Sequence, residues 1–211
     1  MGVLFDWDGV IIDSLGASFN VYNRIFADMG ARQLTMDEFL RVQSPNWYEF
    51  YQKIGLPEKF WKEADEKWVR LYGNESPGLH TDTIRCLSTL KAKFRLALVS
   101  NGSESRIDAE LTKFRLRHFF DSVMSGVPRE HLKPSPFMIK KTMNVLCIEP
   151  DQAVFIGDSP ADIQAAKNAG VLSIALAREP IQAERLKVER PDHIFNGLGP
   201  VTKFLIEGAK I

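Results

Sequence analysis

Short apolar runs alternate with helical patterns along most of this chain, and that alternation limits the fold more than any other feature. Val3-Leu4-Phe5, Leu96-Ala97-Leu98-Val99, Ala153 to Ile156 and Leu172 to Leu176 are such runs, with shorter ones near Ser122 to Ser125 and His193 to Phe195. A strand that is apolar on both faces has to be covered on both faces. Around these runs, apolar residues fall at helical spacing over 80–92, 104–114, 136–146, 160–169 and 198–207. The pattern predicts an α/β fold, a Rossmann-like doubly wound parallel sheet with helices on either side.

Residues from about 15 to 72 break the alternation, with no convincing strand. Phe19, Tyr22, Ile25, Phe26 and Met29 have helical spacing, and Gly30 follows as a stop. A second apolar set lies in 47–54, closed by Gly55, and Pro57 opens a third that includes Trp61 and Trp68. Ser76-Pro77-Gly78 is a turn, after which strands resume. The expected organisation is an α/β core of residues 1–13 and 77–211. An all-helical insert of residues 14–76 lies over one edge of the sheet, with hinges near Asp13-Ser14 and Ser76-Pro77-Gly78.

Lys+Arg and Asp+Glu both number 27, so the formal net charge is zero. This argues against nucleic acid or an anionic membrane as partner. No apolar run is long enough to span a membrane. Asp6, Asp8 and Asp13 interrupt the apolar N-terminus, which also lacks the basic region of a signal peptide. Cys86 and Cys147 have no metal-ligand spacing and read as reduced packing thiols. A cytoplasmic protein, monomeric or weakly dimeric, is expected.

In open α/β sheets, ligands bind beyond the carboxyl ends of the strands. The first strand delivers Asp6-Trp7-Asp8-Gly9, the second Ser100-Asn101-Gly102, and the fourth Gly157-Asp158-Ser159-Pro160-Ala161-Asp162; Lys133-Pro134 follows the third. Asp6 and Asp8 stand at i and i+2, so in an extended segment they face the same way and repel unless a cation or shared proton relieves them. Asp158 joins them from another strand end. Carboxylates without histidine or thiolate suit a hard, oxygen-seeking cation, best Mg2+. The competing reading of Asp6 and Asp8 is a solvated acidic turn, which leaves Asp158 and Lys133 as coincidence. The Ser100 hydroxyl and the amides after it, at a helix start, form either an anion site or an ordinary turn. Lys133 is a compact charge able to offset a phosphoryl group and a carboxylate. Asp162 is either the far half of a capping box with Ser159 or a direct ligand.

Phe5-Asp6-Trp7-Asp8-Gly9-Val10, Val99-Ser100-Asn101-Gly102, Lys133-Pro134-Ser135-Pro136 and Gly157-Asp158-Ser159-Pro160-Ala161-Asp162 resemble, in order, the four motifs of the haloacid dehalogenase-like hydrolase superfamily. The resemblance spans nearly the whole chain. The insert is similar to the small helical cap of the phosphoglycolate phosphatase and β-phosphoglucomutase branch. What this implies is a Mg2+-dependent phosphatase acting on a small phosphorylated metabolite of the phosphoglycolate or sugar phosphate class. Asp6 would attack phosphorus and become an aspartyl phosphate, and Asp8 would serve as acid and then base. Ser100, Asn101, Gly102 and Lys133 would hold the phosphoryl group. The metal would sit on the side chains of Asp6 and Asp158 and the backbone carbonyl of Asp8, with Asp162 in support.

The resemblance departs in the cap. Related caps often carry a glycine-containing specificity loop where this chain has Val42-Gln43-Ser44-Pro45-Asn46-Trp47. Gln43, Asn46 and Trp47 are candidate substrate contacts; the alternative is a helix start with Trp47 in the cap core. Arg41 reads better as a solvated helix charge than as an anion receptor, and Trp61 and Trp68 as cap core. Three other activities stay open. A phosphomutase would use the same residues. A haloacid dehalogenase would attack carbon without metal, which Asp8 and Asp158 argue against. A phospho-acceptor signalling domain would not turn over, and the helical insert argues against it.

Overall fold

The computed structural model describes residues 1–43, 47–75 and 77–208, the side chain of Trp47 excepted. Its strands are β1 (Gly2–Phe5), β2 (Arg95–Val99), β3 (Ser122–Met124), β4 (Ala153–Gly157), β5 (Leu172–Leu176) and β6 (His193–Phe195). They form one sheet in the order β3-β2-β1-β4-β5-β6. Every pairing is parallel. The helices are α1 (Leu15–Asp28), α2 (Met36–Val42), α3 (Trp47–Lys53), α4 (Trp61–Tyr72), α5 (Thr83–Lys91), α6 (Glu104–Lys113), α7 (Phe137–Leu146), α8 (Pro160–Ala169), α9 (Pro180–Val188) and α10 (Leu198–Ile206).

Strand periodicity divides the core into two layers. Val3, Phe5, Leu96, Leu98, Val154 and Ile156 face one side, where Leu87 and Leu90 of α5 and Val201 and Leu205 of α10 cover them. Leu4, Ala97, Val99 and Phe155 face the other, against Ile139 and Met143 of α7 and Ala165 and Ala166 of α8. All ten strand residues are fully buried. Burying one such large apolar side chain stabilises the fold by roughly 1.5–3 kcal/mol, so the continuous apolar runs follow from a sheet covered on both faces.

Helices α1 to α4 share a separate apolar cluster that includes Val21, Ile25, Phe26, Phe39, Phe50, Tyr51 and Leu71. Aromatic rings dominate it: the Tyr22 and Phe50 centroids lie 4.6 Å apart, and those of Trp68 and Tyr72 4.4 Å. Trp61 and Trp68 both pack against this cluster. Thr35 and Glu38 start α2 with a reciprocal capping box. The chain leaves and re-enters the sheet side by side, since the Asp13 amide donates to the Gly78 carbonyl at 2.9 Å. Ser76, at the expected second hinge, lies outside the described residues.

Two expectations need correction. Apolar periodicity shows no helix between β5 and β6, yet α9 fills that connection, opened by a capping box between Glu179 and Gln182. Its apolar stripe is thin, with Gln182 and Leu186 as its buried residues, so the periodicity that reveals other helices is missing. Cys86 packs in the core as expected, but Cys147 is exposed, at the left-handed residue that ends α7. No helix among the described residues is long and apolar enough to cross a membrane.

Candidate active site

The central position of β1 between β2 and β4 brings three carboxyl ends together. Asp6 continues the ladder for one residue, its amide donating to the Ile156 carbonyl at 2.8 Å. Its side chain then meets those delivered by β4: Asp6, Asp158 and Asp162 each present a carboxylate oxygen within 4.8 Å of the others. Lys133 reaches the same point from the loop after β3, and is only 1% exposed. Its Nζ lies 2.7 Å from Asp6 Oδ1 and 2.6 Å from Asp162 Oδ1.

Asn101 holds that lysine in place. Its Oδ1 accepts from the Lys133 amide at 2.9 Å and its Nδ2 donates to the Lys133 carbonyl at 3.3 Å. The Asn101 side chain is therefore spent on the neighbouring loop, leaving its backbone amide as the group able to face a phosphoryl oxygen. Ser100 is buried, and its Oγ accepts from the Gly102 amide at 3.1 Å. Ser100, Asn101 and Gly102 all border the same cavity as Asp6 and Asp158.

Asp162 meets the capping-box reading. Its Oδ2 accepts from the Ser159 amide at 3.0 Å and from Ser159 Oγ at 2.6 Å, while Oδ1 faces Lys133. It is fully buried behind the lysine, with both oxygens engaged.

Three carboxylates face one ammonium here, and the balance shows in their acidities. Burial, then repulsion from Asp162, lifts Asp6 to about 7 in spite of Lys133. Burial and the neighbouring Asp162 and Asp6 push Asp158 well above the usual carboxylate range. Burial disfavours the Lys133 ammonium, but the attraction of Asp162 and Asp6 outweighs it and holds the charge. Buried oxygens with surplus negative charge in so small a space could hold a hard divalent cation. Gly9 makes room for the Asp158 carboxylate: a Cβ there would stand 2.0 Å from Asp158 Oδ2, and its φ of +73° is one that residues with side chains rarely adopt.

Asp8 borders the same cavity but is held from another side. Arg106, on α6, grips both its oxygens, Nη2 to Oδ2 at 2.6 Å and Nη1 to Oδ1 at 3.1 Å. Burial would raise the pKa of Asp8, but the Arg106 charge and hydrogen bonds reverse that and hold it below the usual carboxylate range.

A cavity of about 210 Å³ lies between these strand ends and the helical insert. From the insert it is bordered by Tyr22, Phe39, Phe50, Trp68 and Gln43 among others, and from α9 by Arg185. Arg185 donates to the backbone carbonyls of Leu40 and Gln43, the latter at 2.8 Å, and so ties α9 to the end of α2. Asn46 and the side chain of Trp47 lie outside the described residues. Arg41 is exposed at the end of α2.

Sequence reasoning missed Arg106 and Arg185. Arg106 stands four residues before Glu110, a spacing ordinarily read as an exposed helical ion pair. Arg185 sits on the helix that periodicity did not reveal. The one available signal for α9 was Glu179-Pro180 with Gln182, a helix-start pattern.

The haloacid dehalogenase-like hydrolase family model matches residues 3–176. A phosphoglycolate phosphatase of Aquifex aeolicus is 32% identical over 173 residues, covering 80% of each chain. A pyrophosphatase of Bacillus velezensis is 24% identical over 200 residues, covering 91% of this chain and 90% of its own. Among solved structures, a haloacid dehalogenase-like family protein from Streptococcus pneumoniae superposes with a TM-score of 0.86 at 20% identity, covering 97% of both chains. A hydrolase of the same superfamily from Ehrlichia chaffeensis gives 0.64 at 28% identity, covering 98% of this chain and 96% of its own. With the family match running from β1 to the end of β5, through every strand end that carries the site, the chain belongs to the haloacid dehalogenase-like hydrolase family.

Proposed function

We propose that this phosphatase hydrolyses a small phosphorylated metabolite through an aspartyl phosphate on Asp6, with Mg2+ as its metal and residues 14–76 as a cap over the site. The observation that carries the reading is the Lys133 ammonium held 2.7 Å from Asp6, in a cluster that also includes Asp158. Phosphoryl transfer depends on positioning and charge neutralisation more than on elaborate covalent machinery. Relatives named phosphoglycolate phosphatase and pyrophosphatase support the class.

In this reading an Asp6 oxygen attacks phosphorus, and the bond from phosphorus to the leaving oxygen breaks. Asp8, which Arg106 holds as a carboxylate in this state, takes up a proton as substrate seats and gives it to that oxygen. Water then attacks the phosphorus of the aspartyl phosphate, Asp8 takes the water proton, and phosphate leaves with Asp6 regenerated. Ser100 Oγ and the amides of Asn101 and Gly102 receive the phosphoryl oxygens, and Lys133 offsets their charge. The carboxylates of Asp6 and Asp158 and the backbone carbonyl of Asp8 would hold Mg2+, which supplies the remaining positive charge. The aromatic and polar residues of the insert face the leaving group, with Gln43 as a contact; closing the cap would exclude water.

A panel of phosphorylated metabolites that includes phosphoglycolate and sugar phosphates, assayed with Mg2+ and with Asp6→Asn as control, tests the proposal. Release of inorganic phosphate that is lost with EDTA and in the variant is expected. An isomerised sugar phosphate in place of free phosphate would point to a phosphomutase. Turnover unaffected by EDTA would revive metal-free chemistry.

A further inference from the structure

We propose that Arg106 is the positioning residue for Asp8, and that Trp68 and Tyr72 of the insert help fix it, so that seating the insert and aiming Asp8 are one event. The inference rests on the reading of Asp8 as proton donor and acceptor. Arg106 and Asp8 form a two-pronged pair, 2.6 and 3.1 Å. Such a fork fixes the plane of a carboxylate as well as its distance.

The core side of the guanidinium is anchored too. Nη1 lies 3.3 Å from Glu110 Oε2, which also accepts from the indole N–H of Trp7 at 2.5 Å. Trp7 adjoins Asp8 in the chain, so one hydrogen-bonded loop closes from the β1 end through α6 and back. The insert supplies the remaining contacts. Arg106 Cζ stands 5.3 Å from the Tyr72 ring centre and 5.9 Å from that of Trp68, within cation–π range, and the two rings are stacked on each other. Gly102 leaves the space the guanidinium occupies, since a Cβ there would lie 2.4 Å from Nη2.

A solvated surface pair does not describe this arrangement: the Arg106 and Glu110 side chains are only 17% and 14% exposed. The position also matters chemically. An acid or base must come within hydrogen-bond reach of the oxygen it serves, and a misplacement of about 1 Å can cost on the order of 10²-fold in rate. A carboxylate held from the core by Glu110 and Trp7, and from the cap by two rings, loses its aim when either support is removed.

The test is a set of double-mutant cycles on purified enzyme with whichever substrate the panel gives, alongside thermal melts. Arg106→Gln should lower kcat by about 10²-fold, within the range set by acid–base help, with KM changed less than about threefold. Arg106→Lys should retain part of the activity, because an ammonium keeps the charge but cannot form the fork. With Asp8→Asn as background, Arg106→Gln should cost less than about threefold more, since residues acting as one unit are non-additive. Trp68→Leu with Tyr72→Leu should lower kcat while Asp8 is present and have little effect once it is replaced.

An Arg106→Gln variant with raised KM and intact kcat would overturn the proposal and make the guanidinium a substrate-anion receptor. Additive losses with Asp8→Asn, or ring variants with normal kcat, would overturn it as well. If Arg106→Gln does not fold, the Arg106→Lys and ring cycles decide by the same criteria. Wild-type kcat in Asp8→Asn alone would instead overturn the acid–base reading beneath it.

Discussion

Lys133 Nζ bridges Asp6 and Asp162, at 2.7 and 2.6 Å, joining the end of the central strand to the first turn of α8. One buried cation thereby holds the candidate nucleophile and the capping carboxylate behind it. Neither carboxylate reaches bulk water easily, Asp6 being 5% exposed and Asp162 fully buried.

Replacing Lys133 with Met should therefore be costly. Breaking a buried ion pair from one side leaves uncompensated charge, typically about 3–5 kcal/mol. Chemical denaturation should show a loss of that order near neutral pH. The loss should shrink on acidification, as the stranded carboxylates take up protons. A variant as stable as wild type at pH 8 would mean that the bridge contributes little.

Gly9→Ala is expected to act through Asp158. The new Cβ would collide with that carboxylate, and the φ of +73° adds backbone strain of about 1–3 kcal/mol. At the proposed Mg2+ site both effects should lower metal affinity and stability together, measurable by calorimetry and thermal melts. Unchanged Mg2+ binding would contradict the cradle described for Asp158.

Metal binding should depend on pH in a defined direction. Without metal, folded Asp6 titrates near 7 against an ordinary 3.8, so the folded state holds more protons than the unfolded between those values. Its contribution thus favours folding most below pH 4 and is lost as pH rises through 7. Mg2+ requires the carboxylate and competes with the proton. Thermal melts should accordingly show a larger Mg2+-induced rise at pH 8 than at pH 5.5. At a hundredfold excess over Kd the stabilisation should be about 2.7 kcal/mol. Equal rises at both values would count against Asp6 as a ligand.

The two cysteines should respond differently to a thiol reagent. Burial pushes the Cys86 thiol up to about 11, and the residue is 2% exposed, whereas Cys147 is exposed. At pH 8 the native protein should react rapidly at one thiol, Cys147 by peptide mapping, with the second appearing only on denaturation. Two fast thiols in the native state would contradict the packing of α5.

Features written in local chemistry were legible in the sequence. The continuous apolar strands announced a sheet covered on both faces, and the acidic and hydroxyl strand ends announced where a site would form, because each signal spans a few consecutive residues. Features created by distant encounters were not legible. Arg106 meets Asp8 across 98 positions of the chain, and nothing in either neighbourhood encodes that pairing. The Asn101 side chain serves Lys133, a contact that depends on how two loops stack and leaves the phosphate reading of its backbone amide untouched. Helix α9 escaped because so little of it is buried and apolar, and Arg185 on its inner side went with it.

The central claim is that Asp6 carries the phosphoryl group. Rapid mixing of enzyme, Mg2+ and a turned-over substrate, acid quenching within one turnover, and peptide mapping by mass spectrometry tests it most directly. A phosphoryl adduct is expected on the peptide that contains Asp6, absent from Asp6→Asn, which should have lost turnover. An adduct on another residue, or an Asp6→Asn enzyme with near-normal turnover, would contradict it.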